Sequence, residues 1–257
     1  MSRPLVMGVL NVTPDSFSDG GLWLDPDAAV AHGLAMAAEG ADVVDVGGES
    51  TRPGAAEVPI EEELRRVVPV IDALAPHVRV SVDTRRREVA EAALGAGATI
   101  VNDVSASLYD VAAVHEAGWV AMHMRGTPLT MQQQAQYDDV VSEVREFLVH
   151  RVRLALAAGV TEVWIDPGLG FAKTADHNWA LLHHLDALAA LGRPLLVGAS
   201  RKRFISTVTA SEPQQRLGGS IAAHLVAAQN GANIIRTHDV AETVQALRVA
   251  AAIEGRK

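Results

Sequence analysis

The sequence predicts an α/β fold built as a single (β/α)8 barrel. Strand-length apolar runs alternate with helix-length segments eight times along the chain, and each apolar run stops at a polar residue. The 257 residues shared among eight units give about 32 per unit, close to the roughly 30 that a βαβ repeat requires. No linker, low-complexity tract or shift of composition divides the chain, so residues 1–257 are expected to form one domain of ordinary barrel size. A doubly wound open sheet is the competing architecture, but the sequence holds no GxGxxG or Walker-type loop to support it.

The first unit opens with Leu5 to Leu10, an apolar run that stops at Asn11 and has the length of a buried strand. Asn11 to Gly21 (NVTPDSFSDGG) is rich in Pro, Gly, Asp and Ser, which is loop chemistry. Because parallel strands are buried, they present reactive groups at their carboxyl ends, and this loop is the first candidate for chemistry. Asp25, Pro26 and Asp27 form a helix start, Val30, Leu34, Ala37 and Ala38 its apolar stripe, and Gly40 its stop. Asp42 to Val46 reads as the second strand, followed by the turn Gly47 to Gly54 (GGESTRPG) and a helix from about Glu61 to Ala75. Strand Val78 to Val82 ends at Asp83, with a helix over Arg86 to Gly95. Strand Thr99 to Val101 ends at Asn102, with a helix near Val111 to Ala117.

Trp119 to Met122 ends at His123, and a longer loop, Met124 to Tyr137, contains the run Gln132 to Gln134. Val140, Val144, Phe147, Leu148 and Val152 then mark one face of a long amphipathic helix. Glu162 to Ile165 ends at Asp166 and leads into a helix over Asp176 to Leu191. Leu195 to Val197 ends near Ser200 and leads into a broken helical region up to Asn230. Asn233 to Ile235 ends at Arg236, and a last helix covers about Val240 to Ile253.

Bulk properties narrow the function. With 49% hydrophobic residues and no cysteine, the chain supports a sizeable core without a disulfide framework. No apolar run approaches the length of a signal peptide core or a membrane span, so a cytoplasmic location and no membrane partner are expected. A formal charge of −9 argues against nucleic acid as a partner. Any anionic ligand must meet locally clustered cations.

In a barrel, the strand-terminal residues Asn11, Asp45, Asp83, Asn102, His123, Asp166, Ser200 and Arg236 surround one mouth, where barrel active sites are assembled. Asp83, Asn102 and Asp166 suit the edge of a flat heterocycle with several N–H donors, such as a pterin or purine, since carboxylates accept paired donors and an amide supplies both roles. Capping of the following helices is the plainer role for Asp103 and Asp166. The cations cluster as Ser200-Arg201-Lys202-Arg203 and Arg236-Thr237-His238, with Arg52 from the second loop. Arginine grips phosphate or stacks on rings, so these residues suit a diphosphate beside a heterocycle, with solvation the alternative for Arg201 and Arg203. Asn11 offers an oxygen to Mg2+. His32, His77, His115, His150, His183 and His184 fall in helical segments or their flanks and are expected to be packed or solvated. No His and carboxylate set has zinc-type spacing, and the poor inventory of nucleophiles argues against a covalent enzyme intermediate.

Taken together, MGVLNVTPDSFSDGG (7–21), GADVVDVGGESTRPGA (40–55), SVDT (81–84), IVNDVS (100–105), MHMRGTP (122–128), IDPGLGFAKT (165–174), GASRKRF (198–204) and IIRTHDV (234–240) resemble the dihydropteroate synthase family in order and over nearly the whole chain. The resemblance implies a TIM-barrel transferase, expected to be a homodimer, that joins p-aminobenzoate to 6-hydroxymethyl-7,8-dihydropterin diphosphate with Mg2+ and releases diphosphate. It implies that Asn11 binds the metal and that Thr51, Asp83, Asn102, Asp166 and Lys202 contact the pterin. Arg236 would stack on the pterin and reach the phosphates with His238. Asp19 and Arg52, with Lys202, would carry the chemistry, while Phe17, Pro53, Phe171 and Arg203 would form the p-aminobenzoate side.

Two departures from the family pattern are Ala106-Ser107, where glycine is common, and Ser220, where threonine is frequent. The alternatives are a methyltetrahydrofolate-binding methyltransferase barrel and a non-catalytic pterin-binding paralogue. NVTPDSFSDGG and STRPG argue against the first, since methyl transfer has no diphosphate loss for them to serve, and the intact loop residues argue against the second.

Overall fold

The structure, a computed structural model, describes residues 3–13, 26–50, 54–55 and 57–255. Among these, the strands are β1 (Leu5–Asn11), β2 (Val43–Gly47), β3 (Arg79–Asp83), β4 (Ile100–Asp103), β5 (Gly118–Met122), β6 (Val163–Asp166), β7 (Leu196–Val197) and β8 (Ile234–Thr237). All pair in parallel in the order β6-β5-β4-β3-β2-β1-β8-β7. A further parallel bridge, Ile165 with Leu195, joins β6 to the residue before β7 and brings the two edges of the sheet together. The predicted (β/α)8 barrel is the observed fold. Around it lie α1 (Pro26–Glu39), α2 (Ile60–Leu74), α3 (Arg87–Gly95), α4 (Tyr109–Val114), α5 (Val140–Ala157), α6 (Ala175–His183), α7 (Leu185–Ala189), α8 (Leu217–Gln229) and α9 (Val240–Ile253).

The sequence boundaries differ from these by a few residues, with two larger changes. The helix expected over Asp176 to Leu191 is broken at His184, whose φ of −109° and ψ of 32° leave the helical range, giving α6 and α7. The broken region before Asn230 resolves into 3-10 turns at Arg203–Thr207 and Pro213–Gln215 followed by α8.

Strand alternation explains how the mouth is built. Side chains two apart on a strand share a face. Met7, Val43, Ile100, Val120, Trp164, Leu196 and Ile234 form one buried apolar cluster, separate from the larger core that contains Val6, Val44, Val101 and Ile165. The smaller cluster fills the barrel, and the larger lies between sheet and helices. Two residues beyond an interior apolar residue come Asp45 after Val43, Asn102 after Ile100, Asp166 after Trp164 and Arg236 after Ile234. The polar residues therefore sit directly above an apolar plug, Asn102, Asp166 and Arg236 at or next to the carboxyl ends of their strands and Asp45 midway along β2. Register reinforces this, since Asn11 pairs with Gly47, Gly47 with Asp83, and Asp83 with Asn102.

Candidate functional site

At the centre of the mouth, Arg236 donates through Nε to Asp45 (2.7 Å) and through Nη2 to Asp83 (2.7 Å). Asn102 donates to the same Asp45 oxygen at 2.8 Å. Four strands are thus linked by a buried network before any ligand is considered. Asp45 Oδ1 and Asp83 Oδ1 are buried without a hydrogen-bond partner, although buried polar atoms are as a rule satisfied. Both therefore offer acceptors. On β6, Asp166 accepts the Gly168 N–H at 2.7 Å.

The electrostatics follow from burial. Burial pushes the Asp83 carboxyl up to about 7 against the pull of Arg236, with Asp45 and Glu63 adding to the rise. Burial also raises Asp166, against the Gly168 N–H, Lys202 and Arg236. For Arg236, burial works to lower the pKa, but Asp45 and Asp83 more than offset it and the guanidinium stays charged. Burial, then the cations Arg236, Arg201 and Lys202, hold His238 down at about 3. The His238 imidazole is neutral at physiological pH and sits with Nδ1 2.9 Å from the Ser200 hydroxyl. It can serve an anion as an N–H donor rather than as a cation.

Lys202 lies with Nζ 4.2 Å from the centre of the Phe171 ring, a cation–π contact, and a Cβ on Gly170 would stand 3.2 Å from its Cδ. Its sequence neighbours play other parts. Arg201 pairs with Asp239, and Arg203 begins a 3-10 turn with its side chain exposed. Asp103 takes the structural role: it accepts the N–H groups of Ser107 and Leu108 (both 2.6 Å), that of Ser105 (2.9 Å) and the Trp119 indole (3.1 Å). It thereby shapes the loop in which Ala106 takes a left-handed φ of 51°, a conformation that favours glycine. Ser220 keeps its hydroxyl in use, accepting the Arg201 N–H at 2.9 Å and donating to the Arg216 carbonyl at 2.8 Å.

The structure brings together Asp83, Asn102, Asp166, Lys202, Phe171, Arg236 and His238 around one rim, with Asn11 on the adjoining row. Phe17, Asp19, Thr51, Arg52 and Pro53 lie outside the described residues. Next to the last three, Glu49 accepts the Val58 N–H (3.0 Å), Arg85 (3.0 Å) and Arg86 (2.8 Å), fixing both ends of the second loop. Sequence reasoning noted Asp45, Ser200 and His123 only as strand ends and passed over Lys173. A carboxylate inside the apolar run VVDVG was the signal for Asp45.

For a metal, the described residues contain no group of three or more His, Asp or Glu able to hold an ion by themselves. Asn11 fits a shared site. Its Oδ1 lies over Gly47, 3.5 Å from where a Cβ would be, and Mg2+ accepts one protein oxygen when phosphates and water supply the rest.

The model of a pterin-binding enzyme family matches residues 7–238. The dihydropteroate synthase of Mycobacterium leprae is 52% identical over 262 residues, covering 96% of this chain and 92% of that protein. A structure of the Xanthomonas albilineans dihydropteroate synthase with 4-aminobenzoic acid superposes with a TM-score of 0.93 at 52% identity, covering 99% of this chain and 94% of the other. Another structure from that organism, in complex with 7,8-dihydropteroate, gives 0.89 at 49% identity over 99% and 95%.

Proposed function

Since the chain belongs to the dihydropteroate synthases within the pterin-binding enzymes, we propose that its rim joins p-aminobenzoate to 6-hydroxymethyl-7,8-dihydropterin diphosphate by dissociative loss of diphosphate. It is a transferase acting on small-molecule substrates, and no described helix is long and apolar enough to cross a membrane. The observation that carries the mechanism is the buried network Asn102–Asp45–Arg236–Asp83 beside Asp166. A pterin edge is a row of N–H donors with an acceptor among them, and this rim offers the complementary carboxylates and one amide.

Asp83, Asn102 and Asp166 hold the ring edge with Thr51 and Lys202 also on the pterin, and Arg236, its plane fixed by two carboxylates, lies along the ring. Arg236 and the Nε2–H of neutral His238 receive the diphosphate, with Arg52 from the second loop. Mg2+ held by Asn11 would supply charge neutralisation for the departing group. The bond between the methylene carbon and the diphosphate oxygen breaks with its electron pair leaving on oxygen. Asp19 stabilises the pterin-methylene cation, and the first loop excludes water. The arylamine nitrogen, placed by Phe17, Pro53, Phe171, Lys202 and the Arg203 amide, then attacks, and its proton passes to solvent. No protein nucleophile is required.

We also take the enzyme to be cytoplasmic and a homodimer. The alanines Ala222, Ala223, Ala227 and Ala228 suit either a close-packed dimer seam or packing on the barrel, and Ala223 and Ala227 of α8 are buried within the subunit. Val226, Val249 and Ile253 are 44, 54 and 81% exposed and remain for a partner, which sedimentation would test. The activity itself is tested by incubating the protein with both substrates and Mg2+ and measuring diphosphate and dihydropteroate. Pterin binding without turnover would favour a non-catalytic paralogue, and methyl transfer from methyltetrahydrofolate would favour the methyltransferase reading.

A further inference from the structure

Lys173 is a lysine enclosed behind the rim, 4% exposed. Three groups stand within hydrogen-bond reach of its Nζ, the Phe171 carbonyl at 3.0 Å, the His123 carbonyl at 3.3 Å and His123 Nδ1 at 3.0 Å, and burial lowers its pKa to about 7. Accepting at Nδ1 requires the His123 ring to be neutral, and burial, reinforced by Lys173 and Arg125, holds it so. The N–H groups of the segment that Lys173 grips are taken up elsewhere, Gly168 by Asp166 (2.7 Å), Gly170 by the Asn178 side chain (2.7 Å) and Phe171 by the Gly168 carbonyl (3.1 Å), which leaves its later carbonyls to be held. Gly168, Gly170 and Ala172 take φ values of +65°, +84° and +49°, so the backbone turns left-handed at three of five residues and cannot form a repeating hydrogen-bond ladder.

Side chains replace the ladder. Lys173 takes the Phe171 carbonyl, and the Tyr137 hydroxyl donates to the Ala172 carbonyl at 3.0 Å. On its other side the loop presses against the end of β5, where a Cβ on Gly168 would stand 2.0 Å from the His123 carbonyl oxygen. The His123 N–H in turn binds the Asp166 carbonyl at 3.0 Å. What this arrangement fixes is the ring of Phe171 beneath the Lys202 ammonium.

We propose that Lys173, with Tyr137 beside it, is a positioning residue for the arylamine half of the site, pinning Phe171 so that its ring and Lys202 present a fixed surface to p-aminobenzoate. The inference rests on the reading of Phe171 and Lys202 given above. Of the pterin half, Asp45, Asp83, Asn102 and Arg236 stand on other strands and bond to one another rather than to this loop, and Asp166 meets the loop only at its start, through the Gly168 N–H at 2.7 Å. Loss of the pin should therefore separate the two substrates.

Lys173→Met keeps the length and apolar stem and removes the donors. The expected result is a folded variant whose KM for p-aminobenzoate rises about tenfold while the Kd for the pterin diphosphate stays within twofold. An unchanged aminobenzoate KM overturns the inference, and so does a parallel weakening of both substrates. If Lys173→Met does not fold, Tyr137→Phe decides. It deletes one hydroxyl from a half-buried ring and should raise the aminobenzoate KM about threefold with pterin affinity unchanged; no rise overturns the inference. A wild-type protein that forms no dihydropteroate would instead refute the proposed function, so the two failures are told apart.

Discussion

Truncating Lys202 and Arg201 in turn separates a residue at the site from a structural neighbour. Lys202 lies 4.2 Å over the Phe171 ring and faces the buried carboxylates Asp83 and Asp166. A cation–π contact contributes about 0.5–2 kcal/mol, and a charged hydrogen bond to a ligand about 1.5–3 kcal/mol. Lys202→Ala should therefore cost roughly 2.5–4 kcal/mol in kcat/KM, or about 10²–10³-fold at 1.4 kcal/mol per decade.

Arg201 spends its guanidinium on Asp239, with side chains 35 and 14% exposed. A pair with that much solvent contact is worth about 0.2–1 kcal/mol, and the loss falls on stability. Arg201→Ala should lower the urea midpoint slightly and leave kcat/KM within about threefold, allowing for its influence on His238. Diphosphate release under steady-state conditions, with urea titrations alongside, measures both. Equal losses of kcat/KM would refute the assignment of Lys202 to the site.

Other outcomes follow from the same packing. Asp45→Asn removes the carboxylate shared by Arg236 and Asn102. Breaking a buried pair costs about 3–5 kcal/mol, and with Asp83 retaining one contact the expected loss in urea titration is about 2–3 kcal/mol; a loss below 1 would contradict the keystone role. Gly168→Ala would set a Cβ 2.0 Å from the His123 carbonyl oxygen at a φ of +65°, so thermal melts should show a loss of about 3 kcal/mol or more, and wild-type stability would refute the packing.

His224 is buried with neither ring nitrogen partnered, and burial lowers its pKa from 6.5 to about 4. The unfolded chain therefore takes up a proton that the fold refuses, and this contribution is lost as pH falls from 6.5 towards 4. His224→Leu should gain about 1–2 kcal/mol at pH 7 and up to about 3 more at the acid end of that window. Parallel acid curves for variant and wild type would exclude this.

The strands and their polar ends were legible because burial on both faces leaves a run of apolar residues and a sharp stop, as at Leu5 to Leu10 before Asn11. The helix with a clear apolar stripe and a stop residue, α1, was read nearly to its ends, and so was α9. The break at His184 was not, since no Pro or Gly marks it and only the local dihedrals leave the helical range. Within the site, Asp83, Asn102, Asp166 and Arg236 were legible because each stops the run read as a strand, at the last or next-to-last position of its strand. Asp45 is the middle residue of β2, where the alternation of faces rather than the end of the run turns it to the mouth. Lys173 was invisible for another reason. It acts on carbonyl groups, and which carbonyls lack ladder partners depends on backbone hand at Gly168, Gly170 and Ala172, a property with no periodic trace in the sequence.

The two halves of the rim are stabilised differently, and this bears on how each meets its ligand. The strand-borne half concentrates Asp45, Asp83 and Asp166 in a space from which water is largely excluded, with Arg236 as the shared counter-charge. Desolvating carboxylates costs several kcal/mol each, and one guanidinium does not return all of it. The raised Asp83 and Asp166 and the two orphaned oxygens are the signs of that deficit. A ligand edge that brings N–H donors restores what burial removed, so rigid strands can hold unsatisfied acceptors in readiness. The loop-borne half holds no such reserve. Its ring and ammonium are held against each other in a cation–π contact, and its precision comes from the side chains that pin the backbone beneath them, which is why a change at the buried Lys173 should register in the affinity for one substrate and not the other.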